Sequence, residues 1–263
     1  MKSFNSILKS RIQQRNSWLC VGLDISPESL RSDKLIDLKN HTFKVIDSTR
    51  DYAIAYKPNF AFFERWGTKG FSWLEETIEY IGFDYIKIAD AKRGDIGNTA
   101  KQYAHSIFHH FGFECVTINP YMGQDSIIPF LENKEKGVFL LSKTSNDSSG
   151  YIQNMKEDGV HIYERVVQMA KDLNKKNNIG LVVGATATND LKTIREASPG
   201  MPILIPGVGA QGGDLNSCMK IGNHNGVSLI NISRGISFAG DMSSSSIKNA
   251  AYNFLMKTYE AVK

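Results

Sequence analysis

Cysteine is scarce in this chain and is scattered where it occurs. Cys20, Cys115 and Cys218 are the three cysteines among 263 residues, and two of them fall in apolar, strand-like segments. An odd number with no C-x-x-C pair argues against a disulfide-stabilised secreted domain and against a typical zinc site. We therefore expect three buried thiols in a protein of a reducing compartment, the cytoplasm.

The sequence also lacks long apolar runs and a strong excess of charge. No stretch approaches the roughly 20 apolar residues of a membrane span. At the amino terminus Phe4, Ile7, Leu8 and Ile12 recur at helical spacing with basic residues between them, which predicts an amphipathic helix and not a signal peptide. The net charge of +4 suits an anionic small molecule but not a nucleic acid. We expect no nucleic-acid or membrane partner.

The chain does contain a regular alternation of short apolar runs and amphipathic segments. The runs predict eight strands, at residues 18–22, 54–56, 85–89, 115–118, 138–141, 179–183, 202–205 and 227–232. The segments predict helices at residues 41–52, 73–81, 99–111, 126–133, 161–173, 189–197, 213–219 and 247–259. Continuously apolar strands alternating with helices indicate a buried parallel sheet. Eight repeats predict an α/β protein with one domain, residues 1–263, folded as a (β/α)8 TIM barrel. The polar stretch 144–158 predicts a mobile loop over the barrel mouth.

Charged residues follow the predicted strands, at the face where such barrels carry their active sites. Asp24 follows the first strand, Lys57 the second, and Arg234 the eighth. The third strand runs into Asp90-Ala91-Lys92-Arg93-Gly94-Asp95. Two carboxylates and an ammonium within six residues are costly to leave unpaired where water is partly excluded. This pattern favours a site that holds alternating charges against a charged substrate.

Glycines after the seventh predicted strand suggest a phosphate site. The run 207–212 matches G-x-G-x-x-G, but no acid follows about 20 residues later to bind a ribose, so a dinucleotide fold is disfavoured. In a barrel, the loops after strands seven and eight commonly bind phosphate through backbone N–H groups. Arg234 would add a charge-assisted contact.

Two arrangements that resemble metal sites are disfavoured. His105 and His109 lie four residues apart on a predicted helix, but they lack the H-E-x-x-H pattern and lie away from the strand ends. Asp90 and Asp95 have Lys57 and Lys92 near them, a poor environment for a cation. We expect no metal.

With the barrel and these residues in place, the chain resembles the orotidine 5'-phosphate decarboxylase family over nearly its whole length. The matching motifs are G-L-D at 22–24, Y-K-P-N at 56–59, D-A-K-R-G-D-I-G-N-T at 90–99, T-S-N at 144–146, P-G-V-G-A-Q-G-G at 206–213 and S-R-G at 233–235. N-P-Y-M-G, K-T-S-N and the short loop after strand seven are similar to a bacterial branch with slightly longer chains.

The resemblance implies a carbon–carbon lyase that converts orotidine 5'-monophosphate to uridine 5'-monophosphate without a cofactor, the last step of de novo pyrimidine synthesis. It makes Lys92 the proton donor to C6 of the pyrimidine, within a charge network that includes Lys57, Asp90 and Asp95. The implied substrate-binding residues are Asp24 and Thr99 for the ribose, Ser145 for the pyrimidine edge, and Gly207, Gly209, Gln211 and Arg234 for the phosphate. It also implies a homodimer in which Asp95 and Thr99 complete the neighbouring subunit's site.

Two alternatives stay open. Magnesium-dependent sugar-phosphate decarboxylases and synthases share D-x-K-x-x-D after strand three, but they place an acid after strand two, where this chain has Lys57. A non-catalytic nucleotide-binding barrel would keep the phosphate loop without needing the full Asp–Lys network.

Overall fold

Eight parallel strands close into a barrel in the computed structural model, which describes residues 2–208 and 213–262. The strands are β1 (Leu19–Leu23), β2 (Ala55–Pro58), β3 (Ile86–Arg93), β4 (Cys115–Ile118), β5 (Gly137–Lys143), β6 (Ile179–Val183), β7 (Ile203–Pro206) and β8 (Ser228–Ile232). The barrel closes at β1, where Val21 pairs with Tyr56 of β2 on one side and with Ile232 of β8 on the other. The predicted α/β barrel is confirmed.

Helices surround the barrel and cover its apolar strands. They are α1 (Phe4–Arg15), α2 (Pro27–Leu30), α3 (Leu35–Thr49), α4 (Phe60–Glu64), α5 (Thr68–Ile81), α6 (Gly97–His105), α7 (Gly150–Gln153), α8 (Ile162–Leu173), α9 (Thr188–Ala197), α10 (Leu215–Asn223), α11 (Arg234–Ser237) and α12 (Ser244–Val262). None of the helices in the described part of the chain is long and apolar enough to cross a membrane.

The barrel interior is packed, and α1 closes one end of it. Phe4, Leu8 and Ile12 of α1 are buried in one cluster with strand residues that include Phe139. The Phe4 and Phe139 rings meet edge to face, with their centroids 6.3 Å apart. Burying each large apolar side chain contributes about 2 kcal/mol, so the predicted amphipathic helix is a structural plug.

All three cysteines are buried and free, as the sequence predicts. Cys20 and Cys115 lie on strands of the barrel, and Cys218 lies on α10. Burial raises the pKa of Cys20 to about 12 and that of Cys218 to about 11. The thiols therefore stay protonated, as expected of small core side chains.

Several predicted boundaries are wrong. Residues 126–133 form no α-helix, because Pro129 lies within them and the chain turns through short 3-10 segments at Gln124–Ser126 and Ile128–Leu131. The helix predicted at 213–219 begins at Leu215, since the Asp214 side chain caps it by accepting from Asn216 and Ser217 N–H groups.

The segment 144–158 is not the structureless loop that its composition suggests. A 3-10 turn at Asp147–Ser149 leads into α7. A two-stranded hairpin then pairs Lys156–Glu157 with Val160–His161. Local hydrogen bonding thus gives this polar stretch a defined path beside the barrel mouth. Its mobility stays a prediction.

Candidate active site

A cavity of about 420 Å³ opens at the carboxyl-terminal end of the barrel, where the charged residues were predicted to meet. It is lined by residues from β2 through β7 and the segments that follow them: Lys57, Asp90, Lys92, Thr117, Leu141, Thr144, Ser145, Asn146, Val182, Leu204 and Pro206. The charged lining residues come from β2 and β3, and the apolar ones come from β5, β6 and β7. This division suits a flat ring that carries a charged substituent.

Lys57, Asp90 and Lys92 form one continuous charge network at this cavity. The Nζ atoms of Lys57 and Lys92 each lie 2.5 Å from a different oxygen of the Asp90 carboxylate. The side chains of Lys57 and Asp90 are 4% and 11% exposed, whereas that of Lys92 is 51% exposed. The network therefore runs from a buried ammonium, through a shared carboxylate, to a half-exposed ammonium that lines the cavity.

Charge pairing outweighs burial in setting the protonation states of the two buried groups. Burial disfavours an ionised Asp90, but the charges of Lys57 and Lys92 hold its pKa well below the usual range. Burial likewise disfavours a charged Lys57, but Asp90 and Asp24 raise its pKa above the usual value. Both groups are thus ionised at neutral pH.

The backbone places Asp90 and Lys92 on the last part of β3, not in a loop after it. The strand predicted to end at residue 89 continues to Arg93, and its pairing with β4 shifts register between Ala89 and Arg93. Lys92 has a φ of +44°, in the left-handed region that side chains other than glycine seldom adopt. Such strain is often found at functional sites, where the surroundings hold it in place.

Thr117 on β4 holds this strained turn and was not predicted from the sequence. Its hydroxyl oxygen accepts a hydrogen bond from the Lys92 backbone N–H at 3.0 Å. The same hydroxyl lies within 3.3 Å of Asp90 Oδ1, to which it can donate. A single threonine in an otherwise apolar strand was the available signal, and it is too common to single out a site residue.

Asp24 at the end of β1 brings a second carboxylate to the network. Its Oδ1 atom is buried and has no hydrogen-bond partner within residues 2–208 and 213–262. The Oγ atom of Ser233, after β8, is also buried and has no hydrogen-bond partner among the described residues. A buried carboxylate oxygen without a donor is costly, so this position suits a ligand that supplies hydroxyl groups.

Ser145 lines the cavity at the end of β5, in a position that requires a glycine opposite. A Cβ on Gly184, after β6, would lie 2.7 Å from the Ser145 Cβ and 2.8 Å from its backbone nitrogen. Any larger residue there would displace Ser145. Gly184 is a second residue of the site that the sequence analysis missed, because the clash appears only when β5 and β6 are adjacent.

Comparisons with known proteins agree with this geometry. A model of the orotidine 5'-phosphate decarboxylase / HUMPS family matches residues 17–246. A curated orotidine 5'-phosphate decarboxylase from Haloarcula marismortui is 45% identical over 241 residues, covering 89% of this chain and 86% of that protein. The chain belongs to this family. The predicted resemblance is confirmed.

Relatives in the family come from distant organisms. The orotidine 5'-phosphate decarboxylase of the bacterium Christiangramia forsetii is 42% identical over 244 residues, covering 90% of this chain and 89% of that protein. A solved structure of Leishmania donovani OMP decarboxylase has a TM-score of 0.88 and 36% identity, covering 98% of both chains. The barrel fold is therefore shared with this protein over nearly the whole chain.

The residues predicted to bind phosphate are only partly described. Gly207 has a φ of +93°, which only glycine adopts readily, so the turn after β7 depends on it. Gly209 and Gln211 lie outside the described residues. Arg234 is exposed as the first residue of α11. Because Arg234 follows the end of β8 by two residues, its backbone lies at the carboxyl-terminal rim of the barrel.

Asp95 and Thr99 do not join the network within this chain. The Asp95 Oδ1 atom instead accepts from the backbone N–H of Ile96 at 2.8 Å. In the described part of the chain Asp95 forms no ion pair with Lys92, and the cavity lining includes neither Asp95 nor Thr99. Asp95 lies between β3 and α6, and Thr99 is an exposed residue in the first turn of α6.

The histidine pair is a helix-surface feature. His105 ends α6, and His109 lies in the π-helical turn Ser106–His110 that follows it. Their rings stack with centroids 4.9 Å apart. Among residues 2–208 and 213–262 no group of three His, Cys, Asp or Glu side chains is arranged to share a metal ion.

Proposed function

We propose that this chain decarboxylates orotidine 5'-monophosphate to uridine 5'-monophosphate, the last step of de novo pyrimidine synthesis, in one catalytic domain of residues 1–263. The observation that carries the proposal is the Lys57–Asp90–Lys92 network, with its exposed ammonium at the cavity. It occurs in a chain 45% identical to a curated orotidine 5'-phosphate decarboxylase. The buried free thiols fit a cytoplasmic enzyme.

The chemistry of this reaction asks for a fixed cation beside C6 of the pyrimidine. When the C6–carboxyl bond breaks, its electron pair stays in the ring plane, where no carbonyl can delocalise it. Carbon dioxide leaves, and a proton must then move to C6. A preorganised ammonium can stabilise the developing charge and afterwards supply the proton. Lys92 fits both roles because its ammonium lines the cavity, is held by Asp90, and is half-exposed, so that water can return the proton.

Asp90 would contribute by destabilising the bound substrate more than the transition state. Its carboxylate stays ionised, so it would repel the substrate carboxylate by about 4 kcal/mol at 4 Å and an effective dielectric of 20. The repulsion vanishes as carbon dioxide leaves. Binding energy from the distant phosphate, held by Arg234 with the loop of Gly207, Gly209 and Gln211, would hold the substrate in this repulsive position. The uncompensated oxygen of Asp24 would accept from ribose hydroxyls.

The proposed mechanism needs neither a metal nor an organic cofactor. Lys57 lies near the end of β2, at the position where a magnesium-dependent enzyme of this superfamily would place an acid, and its raised pKa keeps it cationic. Ultraviolet absorbance of orotidine 5'-monophosphate, followed during incubation with the purified protein, tests the proposal. We expect turnover that is unchanged after dialysis against EDTA. Activity that returns only with added magnesium would favour the sugar-phosphate alternative, and nucleotide binding without turnover would favour the non-catalytic one.

We also propose a two-fold homodimer in which Asp95 and Thr99 complete the partner's site. The rim that carries them also exposes large apolar side chains: Ile96, Tyr121, Met122, Tyr151, Ile152 and Met155. Three of them, Tyr121, Ile152 and Met155, line one cavity, and an exposed apolar cluster of this kind is typical of a protein interface. Burying these side chains against a second copy would bring Asp95 towards another barrel. In the described part of its own chain, Asp95 accepts from the adjacent Ile96 N–H and forms no ion pair.

Mixing two inactive variants tests the shared site. A heterodimer of Lys92→Ala and Asp95→Ala chains has one site with both residues intact and one with neither. Random exchange makes about half of the dimers mixed, so the mixture should regain about a quarter of wild-type activity. If Asp95 acts within its own chain, the mixture stays inactive even when mass spectrometry of labelled chains shows exchange. That outcome would end the shared-site proposal and leave the decarboxylase proposal intact.

A further inference from the structure

Lys143, the last residue of β5, carries a buried ammonium that the proposed reaction does not use. Its side chain is 6% exposed. The Nζ atom donates to Asn154 Oδ1 at 2.5 Å and lies 3.8 Å from Asp190 Oδ2. The same atom is 5.5 Å from the centre of the Tyr163 ring. Lys143 therefore contacts three polar or aromatic groups from outside its own strand.

These partners come from three different elements. Asn154 directly follows α7, Tyr163 belongs to α8, and Asp190 lies in the first turn of α9. Burial, together with the neighbouring charge of Asp190, raises the pKa of Tyr163 to about 12, so Tyr163 stays neutral beside the ammonium. The cluster of Lys143, Asn154, Tyr163 and Asp190 joins the barrel to the segment that borders its mouth.

The two residues after Lys143 line the substrate cavity, and α7 contacts the first of them. The backbone N–H of Thr144 donates to Gln153 Oε1 at 3.0 Å, and Gln153 Nε2 donates to Thr144 Oγ1 at 2.8 Å. On the other side the N–H of Gly184 donates to the Lys143 carbonyl at 2.8 Å. Thr144 and Ser145 are thus held between β6 and α7, and Lys143 fixes α7 through Asn154.

Stability alone gives no strong reason for a charge at this position. Burying an ammonium costs free energy, and an apolar side chain of similar volume often serves as well or better. A charged group offers directional contacts that a methionine lacks. We propose that Lys143 is a positioning residue that fixes Asn154 and α7, so that Thr144 and Ser145 are placed to receive the pyrimidine base. This inference rests on the proposed function.

Binding of two ligands to a Lys143→Met variant tests the inference. Uridine 5'-monophosphate carries the base, whereas ribose 5-phosphate keeps the sugar and the phosphate but lacks the base. By calorimetry, we expect the dissociation constant of uridine 5'-monophosphate to rise about tenfold, or 1.4 kcal/mol. The constant of ribose 5-phosphate should stay within about twofold, because the phosphate and ribose groups lie elsewhere on the rim.

Lys136→Met is the matched control. Its ammonium donates to the Phe113 carbonyl at 2.6 Å, away from the cavity, so its loss should leave the ratio of the two constants unchanged. If Lys143→Met does not fold, Asn154→Leu removes the acceptor and should shift the ratio in the same way.

The possible outcomes separate this inference from the proposed function. The positioning role alone would be overturned if the variant that folds keeps the wild-type ratio of the two dissociation constants while wild-type protein is active on orotidine 5'-monophosphate. Wild-type protein that neither turns over the substrate nor binds uridine 5'-monophosphate would overturn both. Equal weakening of both ligands would show a general structural effect and would also overturn the positioning role.

Discussion

Replacing Lys57 and Lys92 separately by methionine should separate stability from chemistry within one network. Each lysine contacts one oxygen of Asp90 at the same distance, 2.5 Å, so the two substitutions remove equivalent contacts. They differ in burial, because the Lys57 side chain is 4% exposed and that of Lys92 is 51% exposed. Methionine keeps most of the side-chain length, which limits cavity effects.

The expected magnitudes follow from that difference in burial. Without Lys57, a carboxylate that is 11% exposed keeps only a half-exposed partner. Breaking a buried pair in this way typically costs about 3–5 kcal/mol of unfolding free energy. Removing the half-exposed Lys92 leaves the buried pair in place and should cost about 0–1 kcal/mol. Turnover should instead fall at least about 100-fold in Lys92→Met, since this variant lacks the proposed proton donor.

Urea unfolding and the ultraviolet assay measure these two quantities on the same proteins. The reasoning about burial fails if Lys92→Met loses as much unfolding free energy as Lys57→Met. The assignment of Lys92 as proton donor fails if its variant retains more than about a tenth of wild-type turnover, a loss under 1.4 kcal/mol. A Lys92→Met protein that still binds uridine 5'-monophosphate shows that the lost activity is not a loss of folding.

Three further perturbations probe other parts of the site. Arg234→Ala should raise KM and also lower kcat, because in the proposed mechanism phosphate binding holds the substrate carboxylate in its repulsive position near Asp90. An effect on KM alone in steady-state kinetics would show that phosphate binding is not coupled to the chemical step. Thr117→Val should lower kcat about tenfold, since the Lys92 backbone N–H loses its acceptor. Far-ultraviolet circular dichroism should change little, and an unchanged kcat would contradict the prediction. Asp90 has a depressed pKa in the folded protein, so its stabilising contribution is present above its unfolded pKa of about 3.9 and is lost as pH falls towards the folded value. Acid titration of unfolding free energy should show that loss in wild type and a smaller one in Asp90→Asn.

The barrel could be predicted because its strands leave a clear sequence signal. Strands covered on both faces are mostly apolar, and β1, β6 and β8 are buried at every position. The ends of the helices and strands were harder to predict, because they depend on capping side chains such as Asp214 and on single residues such as Pro129. Periodicity alone does not show these effects.

The charged part of the candidate site was predictable for a related reason. Parallel strands bring their carboxyl ends to one rim, so Lys57, Asp90 and Lys92 had to be near one another once the barrel was assumed. Thr117 and Gly184 could not be predicted because each acts on a neighbouring segment. Thr117 accepts a hydrogen bond from Lys92, and Gly184 leaves room for Ser145. Such contacts follow from the register between strands, which the sequence pattern does not specify.

The gradient of burial across the network explains why two lysines share one carboxylate. A single exposed ion pair would reorganise as charge develops at C6, and that reorganisation would cost part of the electrostatic stabilisation. Lys57 is buried and held cationic by Asp90 and Asp24, so in the proposed mechanism it would keep Asp90 ionised and in place while Lys92 gives up its proton. After that step Lys92 would still lie beside the Asp90 carboxylate and in reach of solvent, from which a new proton would come. In this proposal one arrangement both presents the ammonium to the substrate and restores it for the next turnover.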